Sequence, residues 1–284
     1  MRLRITDRVS AYSYPMNVFE RVKTTLDRSD ADVFAIGESA CGLPVLCAHC
    51  GGYDGAQLIV TAAIHARECY TALVALQQIS EFDGDGGGGA YFVPLVNPDG
   101  ALFFETGETF GKRFLADNLS RRREWKADAD GIDLNCNFPA RHGTGKYNKR
   151  VAGASDFIGD YPLCAPESAA LARFTERVMP AATVSYHCMG GELYWEFFQC
   201  GRRRERDLRF ATAIAERIGV RRVDGDLCSA GGYKDYCVSA LGIPAVTVEL
   251  IESGDHPFAP EHFAADIERN ATLPRFLLDL IRTQ

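Results

Sequence analysis

Short apolar runs of roughly four to eight residues alternate along the chain with longer segments of helical period. That alternation predicts an α/β fold in which helices cover both faces of a mixed sheet. The predicted strands are Val33–Ile36, Pro44–Ala48, Leu58–Ala63, Tyr91–Val96, Thr183–His187, Leu193–Phe197 and Ala245–Leu250. The predicted helices are Asn17–Asp27, Glu68–Glu81, Pro166–Val178, Glu205–Ile218, Gly232–Ala240 and Pro260–Ile281. Pro166 followed by Glu167 suits the unpaired amides and positive end of a helix start. Between Asn97 and Leu163 the periodicity weakens and Gly, Asn, Asp and Arg accumulate; a long irregular stretch inside a compact fold is often functional. The Gly86–Gly89 run reads as a surface turn, because no Lys-Ser/Thr pair follows and it opens no helix.

Composition narrows the function classes. With 284 residues, 46% of them hydrophobic and 24% charged, the chain can bury a large core, and it is read as one domain spanning 1–284. A net charge of −7 and a pI near 5.4 argue against a nucleic-acid surface, which needs clustered cations. The one basic run, Arg202 to Arg206, is interrupted by Glu205 and reads as the start of a solvated helix. No segment reaches the ~18 apolar residues of a membrane helix, and the N-terminal stretch lacks the core of a signal peptide, so a cytoplasmic location is expected. The ten cysteines are then expected to be reduced. Cys47, His49 and Cys50 invite a metal reading, but no second pair stands at zinc-ribbon spacing.

The candidate chemistry begins where the strand Leu58–Ala63 runs into Ile64-His65-Ala66-Arg67-Glu68. An imidazole and a carboxylate three residues apart at a strand-to-helix junction supply two zinc-type ligands. H-x-x-E alone is a weak signal and needs a third ligand elsewhere. His187 is the best third ligand: it ends an apolar strand and precedes Gly190-Gly191, which let the chain turn sharply. Taken alone, a core histidine hydrogen-bonded at a strand end is the better reading of it. Glu249 lies inside the apolar run Ala245–Leu250, where a carboxylate costs several kcal/mol unless paired, metal-linked or protonated. A base tuned by burial would account for it; an edge strand turning Glu249 to solvent is the alternative.

IHARE at 64–68, VNPDG at 96–100, WK at 125–126, GIDLNCNFP at 131–139, PES at 166–168, SYH at 185–187 and TVEL at 247–250 occur in that order and span nearly the whole chain. Together they resemble the zinc carboxypeptidases of the carboxypeptidase A type. The resemblance implies a mixed sheet of about eight strands with helices on both faces, and one zinc ion per chain. By carry-over, His65, Glu68 and His187 bind the zinc, Glu249 is general base and then general acid, and Asp133 orients His65. Lys126 stands where the family has an oxyanion-stabilising arginine; it keeps the charge and loses the planar fork. Arg67 and Asn135 correspond to substrate-contacting positions.

Departures from the family pattern bear on substrate. The family arginine that grips a terminal carboxylate is replaced by Cys136, so that bidentate anchor is absent. Leu227 occupies the position of the family's mobile tyrosine. The specificity-pocket segment reads Gly231-Gly232-Tyr233-Lys234-Asp235-Tyr236, and a lysine there favours a substrate carboxylate. This segment is similar to that of the bacterial γ-D-glutamyl-diaminopimelate peptidases, which implies a peptide substrate, the murein stem peptide. Lys234, Arg67 and, just past the motif, Arg141 are the residues expected to meet its charges, with Asp235 a further substrate-binding candidate. A deacylase or carboxypeptidase acting on acidic substrates is the alternative within the fold. A metal-free module that only binds wall peptides is a third reading, against which the intact ligand trio and Glu249 both count.

Overall fold

The computed structural model describes residues 16–83, 87–225 and 228–283. An eight-stranded sheet runs through it: β1 (Asp32–Glu38), β2 (Pro44–Gly51), β3 (Gln57–Ala62), β4 (Gly89–Val93), β5 (Ala182–Cys188), β6 (Glu192–Tyr194), β7 (Arg221–Val223) and β8 (Ala245–Leu250), in the order β1-β2-β4-β3-β5-β8-β6-β7. The four central strands β4, β3, β5 and β8 are parallel to one another, while β1, β2 and β6 join through antiparallel pairings. Central position explains sequence. All seven residues of β5 are buried, giving a continuous apolar run, whereas edge strand β1 alternates and stays largely exposed.

Helices α1 (Val18–Asp27), α2 (Ala72–Glu81), α3 (Pro98–Thr106), α4 (Arg113–Asp117), α5 (Pro166–Val178), α6 (Gly201–Ile218), α7 (Tyr233–Tyr236), α8 (Ala264–Asn270) and α9 (Leu273–Arg282) cover the sheet. Two cores form. One joins α1, α2, α6, α8 and α9 to Leu58, Val60, Phe92, Val184 and Val246. The other joins α5 and α7 to Val45, Ile59, Val93 and Ala245. Consecutive residues of β3 (Leu58, Ile59, Val60) enter opposite cores, as the two-residue strand period requires. The expected α/β sheet with helices on both faces is therefore observed.

Several element boundaries differ from expectation. The stretch after Asn97 is partly ordered: the Asn97 side chain accepts from Gly100 N, Pro98 opens α3, and Gly107 ends it in a left-handed conformation. Strand β7 was not anticipated, being three residues long and carrying Arg221 and Arg222. The strand expected at Leu193–Phe197 is shorter, Glu192–Tyr194, and helix α6 begins at Gly201 rather than Glu205. The long C-terminal helix is broken into a 3₁₀ turn (Pro260–Phe263), α8 and α9. Pro274 cannot continue a helix through Asn270, and the Asn270 carbonyl accepts instead from Gln78 Nε2 at 2.9 Å. Gly87 and Gly88 take positive φ in the turn before β4, while Gly86 lies outside the described residues. Among the described residues no helix is long and apolar enough to cross a membrane.

Three buried carboxyls sit beneath the β1–β2 turn. Asp99 accepts from Ser39 Oγ at 2.6 Å and from Cys41 N at 2.8 Å, and Glu167 accepts from Ala40 N at 3.0 Å. Asp128 accepts from the amides of Asp130 and Ile132 through Oδ1. Burial, and then the neighbouring carboxylates Asp130 and Asp99, push the Asp128 carboxyl up to about 7. A carboxyl raised on folding contributes stability that is full below its ordinary value near 4 and is lost as pH rises through about 7. Asp128→Asn keeps the amide contacts and removes the charge. It is expected to flatten the fall of the melting temperature between pH 5 and pH 8, read by calorimetry at both pH values; a fall as steep as wild type would contradict this.

Candidate active site

Strands β3, β5 and β8 all end at one edge of the sheet, where open parallel sheets carry their ligand crevices. After β3 the chain enters a 3₁₀ turn, Ala66–Thr71, which brings His65 and Glu68 to that edge. His187 is the penultimate residue of β5 and Glu249 that of β8, and the two are register partners; Glu192 of β6 pairs with Glu249 from the other side. Because β8 lies between β5 and β6, Glu249 is not on an edge strand.

His65 Nδ1 lies 2.9 Å from Glu68 Oε1, His187 Nδ1 lies 3.2 Å from Glu68 Oε2, and the two Nδ1 atoms are 3.3 Å apart. All three side chains are buried. Ligands tetrahedrally placed at ~2.0–2.1 Å from a zinc ion would stand ~3.3 Å from one another. Two ring nitrogens and a carboxylate at these separations have the spacing and the N₂O donor set that zinc takes. His65 Nε2 faces Asp133 Oδ1 at 3.3 Å, a partner that would keep a ring proton on Nε2 when Nδ1 gives its lone pair to a metal. Among the described residues this is the one cluster of His, Cys, Asp or Glu close enough to hold a metal.

The electrostatics are those of a site built around positive charge. Burial favours neutral His65, but Glu68 and then Asp133 outweigh it and push the imidazolium up to about 9. Burial would raise Glu68 and Asp133; the histidine charges hold Glu68 well below its ordinary value, and His65 and Lys126 do the same for Asp133. Burial lowers His187. Burial first, and then the charge of Glu68, push the Glu249 carboxyl up to about 8. Burial opposes the charge of Lys126, yet Glu68, Asp133 and Glu249 keep it raised.

Backbone ties position these groups. Ala66 N donates to Lys126 O at 3.1 Å and Arg67 N to Trp125 O at 2.8 Å, clamping the His65 turn to the loop that carries Lys126. Asn97 Nδ2 donates to Ile64 O at 3.2 Å and to Ala127 O at 3.0 Å, bridging the same two segments. Gly100 is required below them, since a Cβ there would stand 2.4 Å from Ala127 O. Asp133 Oδ2 accepts from Asp156 N at 3.0 Å, so its carboxylate is fixed from behind. Asp133→Asn is expected to lower zinc affinity about 10–100-fold by weakening control of the His65 ring, measured by competition with a chromophoric chelator; unchanged affinity would remove Asp133 from that role.

The remaining predicted residues form a second group. Asn135 Oδ1 accepts from Tyr233 N at 3.1 Å and thereby joins the 133–138 loop to α7. Gly231, at φ +85°, lies where a Cβ would stand 2.5 Å from Cys136 O. Lys234 is buried; its Nζ donates to Glu196 O at 2.9 Å and lies 2.6 Å from Asp235 Oδ1. Arg141 stacks on Phe198 at 3.8 Å. Leu227 lies outside the described residues. Cys47 and His49 point to one face of β2 and Cys50 to the other, and His49 Nε2 pairs with Gln57 Oε1 at 3.1 Å, so these three do not converge.

One residue at the site has no counterpart among the sequence expectations. His256, on the loop after β8, places Nε2 3.1 Å from Cys188 O, beside His187, and Arg67 and Glu68 are the charges that act on it most. Its available signal was position: it follows Glu249 by seven residues on a loop leaving the active edge of the sheet.

A zinc carboxypeptidase profile matches residues 89–273. The protein YqgT of Bacillus subtilis (strain 168) is 29% identical over 254 residues, 81% of this chain and 67% of that protein. The γ-D-glutamyl-L-diamino acid endopeptidase 1 of Lysinibacillus sphaericus is 31% identical over 180 residues, 60% of this chain and 44% of its own length. The crystal structure of murein-tripeptide amidase MpaA from Escherichia coli O157 superposes with a TM-score of 0.63 at 19% identity, covering 89% of this chain and 95% of that one, a likeness of fold. With the profile covering well over half its length, this chain belongs to the zinc carboxypeptidase family.

Proposed function

We propose that the chain hydrolyses the γ-D-glutamyl–diamino acid bond of murein stem peptides, with one zinc ion held by His65, Glu68 and His187. The observation that carries the substrate reading is Cys136. It stands where a carboxypeptidase places the arginine for a free terminal carboxylate, a thiol that cannot make that bidentate contact, and its backbone is packed against Gly231. The Lysinibacillus relative, named for this bond, supports the same reading.

Zinc supplies Lewis acidity toward the amide carbonyl and lowers the pKa of water toward ~7. The protein's own part follows from the geometry. Glu249, beside His187, takes a proton from the attacking water and passes it to the departing amine. Its raised affinity for a proton suits the return step, and the nearby charges of His65 and Lys126 act against that rise, toward a working base. Lys126, anchored by the backbone clamp, stabilises the negative oxygen that develops on the carbonyl. Lys234, Asp235 and Asn135 shape the pocket for the diamino acid, the ammonium of Lys234 having a third donor beyond the two engaged by Glu196 and Asp235. Arg67 meets carboxylate or carbonyl oxygen on the acyl side.

The reading is tested by mass spectrometry on L-Ala-γ-D-Glu-diaminopimelate and the same peptide extended by D-Ala. Cleavage of the γ-D-glutamyl bond in both is expected. Removal of the terminal D-Ala alone would favour a carboxypeptidase.

A further inference from the structure

The cation that the sequence places in the specificity pocket is already engaged: Lys234 Nζ donates to Glu196 O and lies 2.6 Å from Asp235 Oδ1. A second cation stands beyond it, at the rim. Lys234 Nζ lies 5.5 Å from the centre of the Phe197 ring, Phe197 and Phe198 are 5.1 Å apart between centroids, and the Arg141 guanidinium lies 3.8 Å over Phe198. Among the described residues the Arg141 side chain has no hydrogen bond or ion pair. Stacking occupies the face of a guanidinium and leaves its N–H groups, which lie in the plane, open to an acceptor.

The platform is held in a fixed shape. Arg141 at φ +52° and Phe198 at φ +58° both take left-handed backbone, a conformation that is costly for residues with a side chain and that collects at ligand sites. Local bonds maintain it: Arg141 O accepts from Thr144 N at 3.1 Å and from Thr144 Oγ1 at 2.8 Å, and Phe197 N donates to Gln199 Oε1 at 2.6 Å. Phe198 is 49% exposed, so the stacked pair faces solvent rather than core.

Position along the pocket wall decides what Arg141 can reach. The segment that follows Cys136 runs beside Gly231: a Cβ on Gly231 would stand 2.5 Å from Cys136 O, Phe138 N donates to Gly231 O at 2.9 Å, and Gly231 N donates to Ala140 O at 2.8 Å. Cys136 marks the place where the anchor for a carboxylate next to the scissile bond is missing. Arg141 lies farther along the same wall. One more residue of extended substrate adds about 3.3–3.6 Å and carries its carboxylate outward in that direction.

We infer that Arg141, laid flat on Phe198, binds the terminal carboxylate of the residue that follows the diamino acid. The inference rests on the murein reading, with the diamino acid toward Lys234, and gives that reading a register: the preferred leaving group is the diamino acid with one further residue attached. Arg141 is then a specificity-determining residue that presents a planar fork to a planar acceptor.

The test compares L-Ala-γ-D-Glu-diaminopimelyl-D-Ala with the same peptide ending in a primary amide, so that only the terminal charge differs, with the tripeptide lacking D-Ala as reference. Wild-type protein, Arg141→Gln, Arg141→Lys and Phe198→Leu are assayed for kcat and KM separately at the γ-D-glutamyl bond, with zinc content and melting temperature measured for each. Wild type is expected to favour the free carboxylate about tenfold or more in kcat/KM, through KM, the worth of about one charge-assisted hydrogen bond. Arg141→Gln should lose most of that preference. Arg141→Lys, which keeps the cation without the fork, and Phe198→Leu, which keeps the guanidinium without its platform, should each retain part. Equal use of the two peptides by wild type, cleavage of the tripeptide alone, or a preference unchanged in zinc-loaded, folded Arg141→Gln overturns the inference and leaves the substrate reading standing. Wild-type protein that leaves the γ-D-glutamyl bond of all three peptides intact overturns both.

Discussion

Glu249→Gln is expected to bind zinc with wild-type stoichiometry and to lose about 10²–10⁴-fold in kcat, the range that a positioned acid–base group supplies. The substitution is nearly isosteric, and the trio of His65, Glu68 and His187 is built without Glu249, so the metal site should survive. What disappears is the group proposed to exchange a proton in both steps. Glutamine resembles the protonated carboxyl that burial and Glu68 already favour in the metal-free protein, so folding should be unharmed. Steady-state kinetics beside elemental analysis check this. Turnover within a few fold of wild type would take the base role from Glu249.

Lys126→Ala carries the second large effect. In the oxyanion-stabilising role proposed for Lys126, its removal is expected to cost roughly 10²–10³ in kcat, with little change in KM because the charge it would meet develops only in the transition state. Lys126→Arg should restore part of the rate, since the cation returns with a different reach. The backbone of this segment is tied to Ala66 and Arg67 through main-chain bonds, so neither variant should disturb the clamp. An effect confined to KM would show Lys126 acting as a ground-state contact instead.

Legibility in the sequence followed burial. β3, β5 and β8 are covered on both faces and read as continuous apolar runs, and the groups at their ends, His65, His187 and Glu249, stand out as polar interruptions. The motif residues Asn97 and Gly100 were recognisable, but their purpose was not: only the fold shows Asn97 joining the Ile64 and Ala127 carbonyls. β7 escaped because a three-residue edge strand with two arginines has no apolar period to detect. The C-terminal helix was read as one element because its apolar spacing continues through Thr272 and Pro274. A Pro at the first turn of α9 marks a start rather than a kink, and sequence periodicity does not distinguish the two. His256 was passed over since nothing near it in sequence suggests a partner; its neighbour Cys188 is distant along the chain and is brought to it by the sheet.

Lys234 shows the opposite limit. Its identity suggested a free cation for substrate, whereas the fold encloses it against Asp235, Glu196 and the Phe197 ring. A buried pair of this kind also holds the loop in shape, because truncating either member would leave the other charge unpaired.

The most direct test of the account is to strip the protein of zinc with a chelator, restore the ion, and follow both zinc content and release of diaminopimelate from L-Ala-γ-D-Glu-diaminopimelate. Release that falls with the zinc and returns with one equivalent is the predicted result. Undiminished release from zinc-free protein, or fully zinc-loaded protein that leaves the peptide intact, would contradict it.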